Sequence, residues 1–243
     1  MTNRLLGRAF ALAFCTALIG SVACSHGSIA SDGGGVAAAL GSGSGQKYTF
    51  LRKYEMGDKD VYLTEVKTGT TSDITMTMTQ TVTKLYDDGS ADVSSASSNM
   101  KMVLNGKDTP VPTEAMAPIS MRLDKYGSPI DSSGASAGSG GMPFAISQIS
   151  SLRNGIDVGQ TVPWDTSAAA KLGSKGTVTF VGIEDGGAKL HIASDTFSDG
   201  KPDGHIDGTM LMQMSSGKVL KADMATLLTG GESSHMTMTR QAS

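Results

Sequence analysis

Methionine is the residue type with which this chain could do the most unusual chemistry. The sequence contains fifteen, including the initiator, and many of them are separated by a single residue. Because side chains alternate along a strand, such pairs project to one face. Three roles fit: core packing, an adaptable apolar lining for a lipid or another hydrophobic ligand, and Cu(I) binding by thioethers. The candidate lining residues are Met76, Met78, Met100, Met102, Met210, Met212 and Met214.

The segment 198–208 is the densest polar feature. Asp199, Asp203 and Asp207 each precede a glycine at intervals of four. Carboxylates in a glycine-rich loop can bind Ca²⁺, but Lys201 and the following proline interrupt the alternating ligands that an EF-hand requires. We therefore expect a long connection between strands with Asp-Gly turn chemistry, and calcium binding is the alternative.

Catalytic motifs are few. Residues 134–138 match Gly-x-Ser-x-Gly, but they lie in a Ser/Gly/Ala linker and not on a strand-to-helix turn. Residues 215–218 match Ser-x-x-Lys, but they lie in a predicted turn. His191 is expected on the exposed face opposite Leu190 and Ile192, and Trp164 is expected to anchor a core or an edge. With no evident acid–base pair, we predict a protein that is not an enzyme and has no cofactor.

The cysteines and the charge exclude further classes. Cys15 and Cys24 are the only two cysteines, and Cys15 lies in the N-terminal apolar run. A mature chain with one thiol has no disulfide framework, cysteine nucleophile or Cys-type zinc site to offer. Removing Arg4 and Arg8 leaves 18 basic and 23 acidic residues, a net charge of −5. This balance argues against nucleic-acid binding.

The first 23 residues read as an export signal. Arg4 and Arg8 precede an apolar run, and small residues follow before Cys24. Residues 21–24 resemble the lipobox of bacterial lipoproteins, although Ser21 stands where that family usually has leucine. The resemblance implies that Cys24 is acylated. The membrane is then a partner of the chain, which an N-terminal lipid anchor attaches to it. Ser25 implies the outer membrane as the destination, and secretion as a soluble protein is the alternative.

The remaining chain predicts a tether followed by a duplicated β region. Residues 24–46 are rich in Ser, Gly and Ala, which favours a flexible tether. Thr81-Val82-Thr83 and Asp88-Gly89 are matched by Thr177-Val178-Thr179 and Asp185-Gly186. Gly57 and Gly127 of the first half are matched, in the same order, by Gly159 and Gly217 of the second half. We expect a first β half over 47–133, a linker with a short helix over 134–155, and a second β half over 156–243, together in one domain.

The predicted fold is mainly β: a curved antiparallel sheet or half-barrel from two similar halves, with a short helix between them. This pattern resembles the half-barrels of bacterial lipoprotein carriers of the LolA and LppX kind, but no motif carries over functional residues. The resemblance and the methionines favour non-catalytic binding of a hydrophobic small molecule or lipid on a concave face. The alternative is a structural or interaction protein of the cell envelope with a filled core.

Overall fold

The computed structural model describes residues 47–111, 117–127, 129–131, 152–165, 172–198 and 200–242. These residues are mainly β, as the sequence predicts, and form twelve strands of one antiparallel sheet. The strands are β1 (Lys59–Thr68), β2 (Ser72–Leu85), β3 (Ala91–Leu104), β4 (Lys107–Thr109), β5 (Ile119–Leu123), β6 (Pro129–Asp131), β7 (Thr161–Asp165), β8 (Leu172–Glu184), β9 (Gly187–Ser198), β10 (Lys201–Gln213), β11 (Val219–Leu228) and β12 (Ser233–Arg240).

The strands form because their residues alternate between apolar and polar types. In β1 the even-numbered residues from Asp60 to Thr68 are buried, and most odd-numbered residues are exposed. In β12, Met236 and Met238 are buried between exposed or half-buried neighbours. A period of two with one buried face is the signature of a sheet covered on one side.

The two halves lie in tandem within the sheet. The order β6-β5-β3-β2-β1 comes first, then β12, then β11-β10-β9-β8-β7, and β4 pairs with β3. The predicted repeat makes β7, β8, β9, β10 and β11 the counterparts of β1, β2, β3, β5 and β6. β12 joins the halves by pairing with β1 on one side and β11 on the other.

Matching hydrogen bonds support this correspondence of strands, but they align Val82 with Phe180, two residues beyond the Val178 that the sequence match predicted. Gly57 N donates to Val82 O, and Val82 N donates to Asp58 O, both at 3.0 Å. In the second half, Gly159 N donates to Phe180 O at 2.6 Å, and Phe180 N donates to Gln160 O at 3.0 Å. The register shifts after Val82 in β2 and after Phe180 in β8, so a β-bulge recurs at the equivalent position.

The sheet curves around its buried face. The main hydrophobic cluster draws on strands from β1 to β3 and from β8 to β12, together with Phe50, Leu152 and Ile156 outside the strands. A sheet that curls over its apolar face brings such distant strands into one core. Glycines on the concave face allow the close approach of neighbouring strands. A Cβ at Gly176 would overlap the carbonyl oxygen of Ala193, and a Cβ at Gly208 would overlap that of Asp223.

One local expectation from the sequence is wrong, and another falls largely outside the described residues. The long connection predicted over 198–208 is wrong, because β9 continues to Ser198 and β10 begins at Lys201. Residues 224–228 are also strand and belong to β11. The predicted helix lies largely outside the described residues, which resume at Leu152 and form a turn with Gly155 N donating to Leu152 O. Within the described ranges, no helix has the length and apolar character needed to span a membrane.

Candidate functional site

The concave face carries most of the predicted methionines. Met78, Met102, Met210 and Met212 are buried in the main hydrophobic cluster. Met100 and Met214 are half-buried and pack against that cluster, and Met76 is half-buried on β2. Three further methionines, Met224, Met236 and Met238, are buried in the same cluster. The predicted residues therefore share one apolar face, with the methionines of β10 only 1 % exposed.

An extended N-terminal segment, residues 47–57, links the two halves. Arg52 N donates to Lys125 O in the β5–β6 turn, and Lys53 N donates to Ser216 O in the equivalent β10–β11 turn. Phe50 is 2 % exposed and makes an edge contact with Phe180, with ring centroids 5.8 Å apart. The segment thus packs an aromatic side chain into the main core.

A buried ionic cluster lies where this segment meets β1. Asp60 is 4 % exposed and accepts hydrogen bonds from Arg52 Nη2 at 2.7 Å and from Arg240 Nε at 2.8 Å. Lys218 Nζ lies 3.2 Å from Asp60 Oδ1 and also donates to Asp58. Burial raises the pKa of the adjacent Tyr62 hydroxyl to about 12. Three cations around two carboxylates tie the N-terminal segment, β1, β12 and the β10–β11 turn together.

This cluster decides against a Ser-x-x-Lys catalytic site. A lysine that activates a serine must be free to accept its proton, whereas Lys218 is buried in ion pairs with Asp58 and Asp60. The other serine motif, at 134–138, lies outside the described residues. The sequence missed the ionic cluster because its members are separated by up to 188 positions and share no local pattern.

The opposite end of the concave face is lined by hydroxyl groups. We call this region the hydroxyl end. It comprises the buried residues Thr68, Ser72, Ser194, Thr196, Thr226 and Ser234. Thr68 lies opposite Ser72 and Ser234, and Ser234 lies opposite Thr226. The concave face therefore has a charged end, an apolar middle and an uncharged polar end.

The convex face of β9–β12 carries three pairs of histidine and aspartate on adjacent strands. His191 Nε2 lies 3.1 Å from Asp207 Oδ2, His205 Nδ1 lies 2.8 Å from Asp195 Oδ1, and His235 Nε2 lies 2.7 Å from Asp223 Oδ1. His191 is partly exposed on the face opposite Leu190 and Ile192, as predicted. The sequence missed the pairing because it depends on which strands are neighbours.

A shallow surface pocket of about 330 Å³ lies beside these pairs. Its lining includes His205, His235, Asp207, Lys67 and Leu227. In the part of the chain that the structure describes, no group of three His, Cys, Asp or Glu residues is arranged to hold a metal ion. The pocket therefore offers a mixed polar and apolar surface.

The predicted calcium ligands fall on a strand. Asp203 and Asp207 belong to β10, and four residues of strand separate their backbones by about 13 Å. Calcium ligands lie about 2.3–2.6 Å from the ion, so this placement does not gather the two carboxylates around one site. Asp207 is paired with His191 instead. Asp199 and Cys24 lie outside the described residues.

Trp164 anchors an edge of the sheet, as the sequence predicts. It lies on β7, its indole Nε1 donates to Ser174 Oγ at 3.0 Å, and its ring packs against the main core. The edge strand is thus fixed by both an apolar contact and a hydrogen bond.

Comparison with known proteins returned no significant similarity: no protein-family model, curated protein or solved structure matches the chain.

Proposed function

We propose that this chain is an exported, lipid-anchored protein that binds a hydrophobic small molecule or lipid on its methionine-rich concave face, without catalysis. The observation that carries the proposal is the composition of the core. Seven of the 21 buried residues in the main hydrophobic cluster are methionine. Methionine has three rotatable bonds and a polarizable thioether. A core rich in methionine is therefore less restricted to a single packing arrangement and adapts to ligands of varied shape.

The near-complete burial of these side chains is compatible with binding by repacking. Met210, Met212 and Met238 are 1–2 % exposed, so a ligand enters only when side chains change rotamers around it. Unbranched thioethers do this with less strain than β-branched residues, whose χ1 angle is restricted. The core would therefore open to admit its ligand.

The anchor is part of the same proposal. The lipobox-like residues 21–24 place an acyl chain on Cys24, and residues 24–46 separate it from the folded region. The anchor would hold the β region close to the outer membrane, where hydrophobic ligands are abundant. The same arrangement would also suit a protein that contacts other envelope components.

Native mass spectrometry tests ligand binding. The exported chain carrying Cys24→Ser, which removes the acylation site, is purified from the periplasm without detergent. We expect an added mass of several hundred daltons that is lost when the protein is denatured. A control sample is denatured, extracted with organic solvent and refolded, and should regain the adduct only when lipid extract is added. A clean apo mass in every preparation would contradict the proposal.

A second candidate function, interaction with an envelope protein, is favoured by exposed apolar side chains at equivalent positions of the two halves. Met56 and Val158 each precede the equivalent glycines and are 60 % and 47 % exposed. Leu85 and Ile183 each follow the equivalent β-bulge by one residue and are 40 % and 55 % exposed. Large exposed apolar side chains mark a contact surface when they form a contiguous patch.

Photo-crosslinking in intact cells tests this second candidate. A photoreactive amino acid at Ile183 should capture a discrete protein partner. The same amino acid at Asp73, an exposed residue of β2, serves as the control and should not. Equal labelling at both positions would argue against a specific partner.

A further inference from the structure

Four buried hydroxyl groups on the concave face have no hydrogen-bond partner. They are the Oγ1 atoms of Thr64, Thr68 and Thr196 and the Oγ atom of Ser234. The residues are 1–6 % exposed and lie on β1, β9 and β12. Buried polar groups are almost always paired. An unpaired hydroxyl loses its hydration without compensation. Four of them on one face of one sheet point to a partner that this structure does not contain.

The position of these hydroxyls relative to the methionines suggests what that partner is. Thr68 and Ser234 face each other across β1 and β12 within the hydroxyl end. Thr64 is two same-face positions closer to the apolar middle than Thr68, beyond Val66, and lies directly between Met76 of β2 and Met238 of β12. Thr196 belongs to the hydroxyl end on the opposite flank, paired with Gly204 of β10. Hydroxyl donors and acceptors thus border the apolar middle of the face.

The charge of the surroundings limits the ligand to uncharged groups. Among the described residues that are buried, the charged ones are Asp60 and Lys218. Asp60 is eight residues from Thr68, about 26 Å along β1. An ionised head group placed at the hydroxyl end would therefore lack a counter-charge, which makes its burial unfavourable. A neutral group that both donates and accepts hydrogen bonds fits the hydroxyls of threonine and serine.

We propose that the hydroxyl end binds the neutral, oxygen-rich head group of an amphipathic ligand, such as a monoacylglycerol, while its hydrocarbon chain lies among the methionines. This inference rests on the proposed ligand-binding function. It specifies that the head group of the ligand is uncharged and polar, and that the ligand lies with this head group at the hydroxyl end. The head group would meet Thr68 and Ser234, which face each other, and the chain would extend past Thr64 towards Met238.

Two matched probes and two variants test the inference. The exported chain carrying Cys24→Ser is titrated with mono-oleoylglycerol and with oleate, and bound fractions are measured by native mass spectrometry. We expect mono-oleoylglycerol to bind at least about ten-fold more tightly than oleate. Thr68→Val combined with Ser234→Ala should weaken mono-oleoylglycerol binding by about ten-fold. The melting temperature should stay unchanged or rise, because the substitutions remove unpaired polar groups.

Thr68→Val alone is the second variant, in case the double substitution impairs folding, and should weaken binding in the same direction. Thr239→Val, on an exposed position of β12, is the control and should bind as the parent does. If the parent binds both probes equally and the variants bind as the parent does, the inference is overturned while the proposed function stands. If the parent binds neither probe nor any lipid from the extract, the inference and the proposed function are both overturned.

Discussion

The buried carboxylate of Asp60 is the centre of the ionic cluster. Its two oxygens are shared among Arg52, Arg240 and Lys218, which come from three separate parts of the chain. Breaking a buried ion pair by removing one partner leaves an uncompensated charge, which costs far more than the pair contributes. Asp60 is therefore where a single substitution tests how the N-terminal segment is held on the sheet.

Asp60→Asn should lower the free energy of unfolding by about 3–5 kcal/mol. The substitution keeps the shape of the side chain but leaves three cations facing the single carboxylate of Asp58. Equilibrium denaturation in urea measures the change. Asp73→Asn, at an exposed position of β2, is the control and should stay within about 0.5 kcal/mol of the parent. Equal effects at both positions would contradict the structural role of the cluster.

A second carboxylate, Asp88, links stability to pH at the β2–β3 turn. It accepts hydrogen bonds from the amide and hydroxyl of Ser90, and Arg122 Nη2 lies 3.0 Å from its Oδ2. Hydrogen bonding by Ser90, assisted by the Arg122 charge, holds the pKa of Asp88 below its ordinary value of 3.8. A carboxyl whose pKa is lower in the folded state stabilises the fold above its unfolded pKa. That stabilisation is lost as the pH falls through the folded pKa.

Asp88→Asn should therefore lower the melting temperature at pH 7, and the difference from the parent should shrink once the pH falls below about 3.8. Thermal unfolding followed by circular dichroism between pH 2 and pH 7 gives the comparison. The effect should be small because the group is exposed and solvent screens it. A difference in melting temperature that grows at acidic pH would contradict the lowered pKa of Asp88 in the folded state.

At the scale of the elements, glycines on the concave face let neighbouring strands approach closely. Gly208 lies on β10 between Met224 of β11 and Ile192 of β9. A Cβ there would overlap the carbonyl oxygen of Asp223 and lie 2.6 Å from Met224 Sδ. The strands approach closely at this point, which only a residue without a side chain allows.

Gly208→Ala should destabilise the protein by about 1–3 kcal/mol, because the strands must move apart or the methionine must leave its rotamer. The free energy of unfolding in urea is the measurement. Gly230→Ala is the matched control, since a Cβ at that turn position meets no heavy atom within 4 Å. If the two substitutions have the same effect, the close approach at Gly208 does not account for the loss of stability.

At the scale of the whole molecule, the proposed anchor can be tested apart from the fold. Cys24→Ser should move the protein from the membrane fraction to the soluble periplasmic fraction, because the acyl chain is lost and only a polar tether remains. Cell fractionation with immunodetection measures the distribution. Ser25→Ala, at the next position, should leave it unchanged. An unchanged membrane fraction for Cys24→Ser, in protein whose N-terminal sequence shows that residues 1–23 have been removed, would contradict lipid anchoring at this residue.

The curved, tandem sheet explains how one layer of strands supports a core. β12 closes the join between the halves, and the N-terminal segment bridges the equivalent turns of both halves. Local contacts within hairpins would form each half, whereas β1–β12 pairing and the Asp60 cluster connect distant parts of the chain. Removing either long-range connection should therefore weaken the whole fold and not one half.

Local sequence pattern alone determined the strand content and much of the repeat. Alternating Met and Thr residues specify a strand with one buried face, as in β2 and β12, because the side-chain period of a strand is two. Gly57 and Gly159 marked equivalent starts, and their hydrogen bonds to Val82 and Phe180 are equivalent. The position of His191 on the outer face also followed from local pattern, whereas the pattern left core and edge open for Trp164.

Tertiary structure decided every pairing between distant residues. The Asp-Gly segment became part of β10 because its backbone hydrogen bonds are satisfied by β9 and β11, which outweighs the local turn preference. The Asp60 cluster, the His–Asp pairs and the hydroxyl end arise only when strands far apart in sequence become neighbours. Periodicity tells which face a side chain occupies. Which partner it meets on that face depends on strand order, which is a property of the folded sheet.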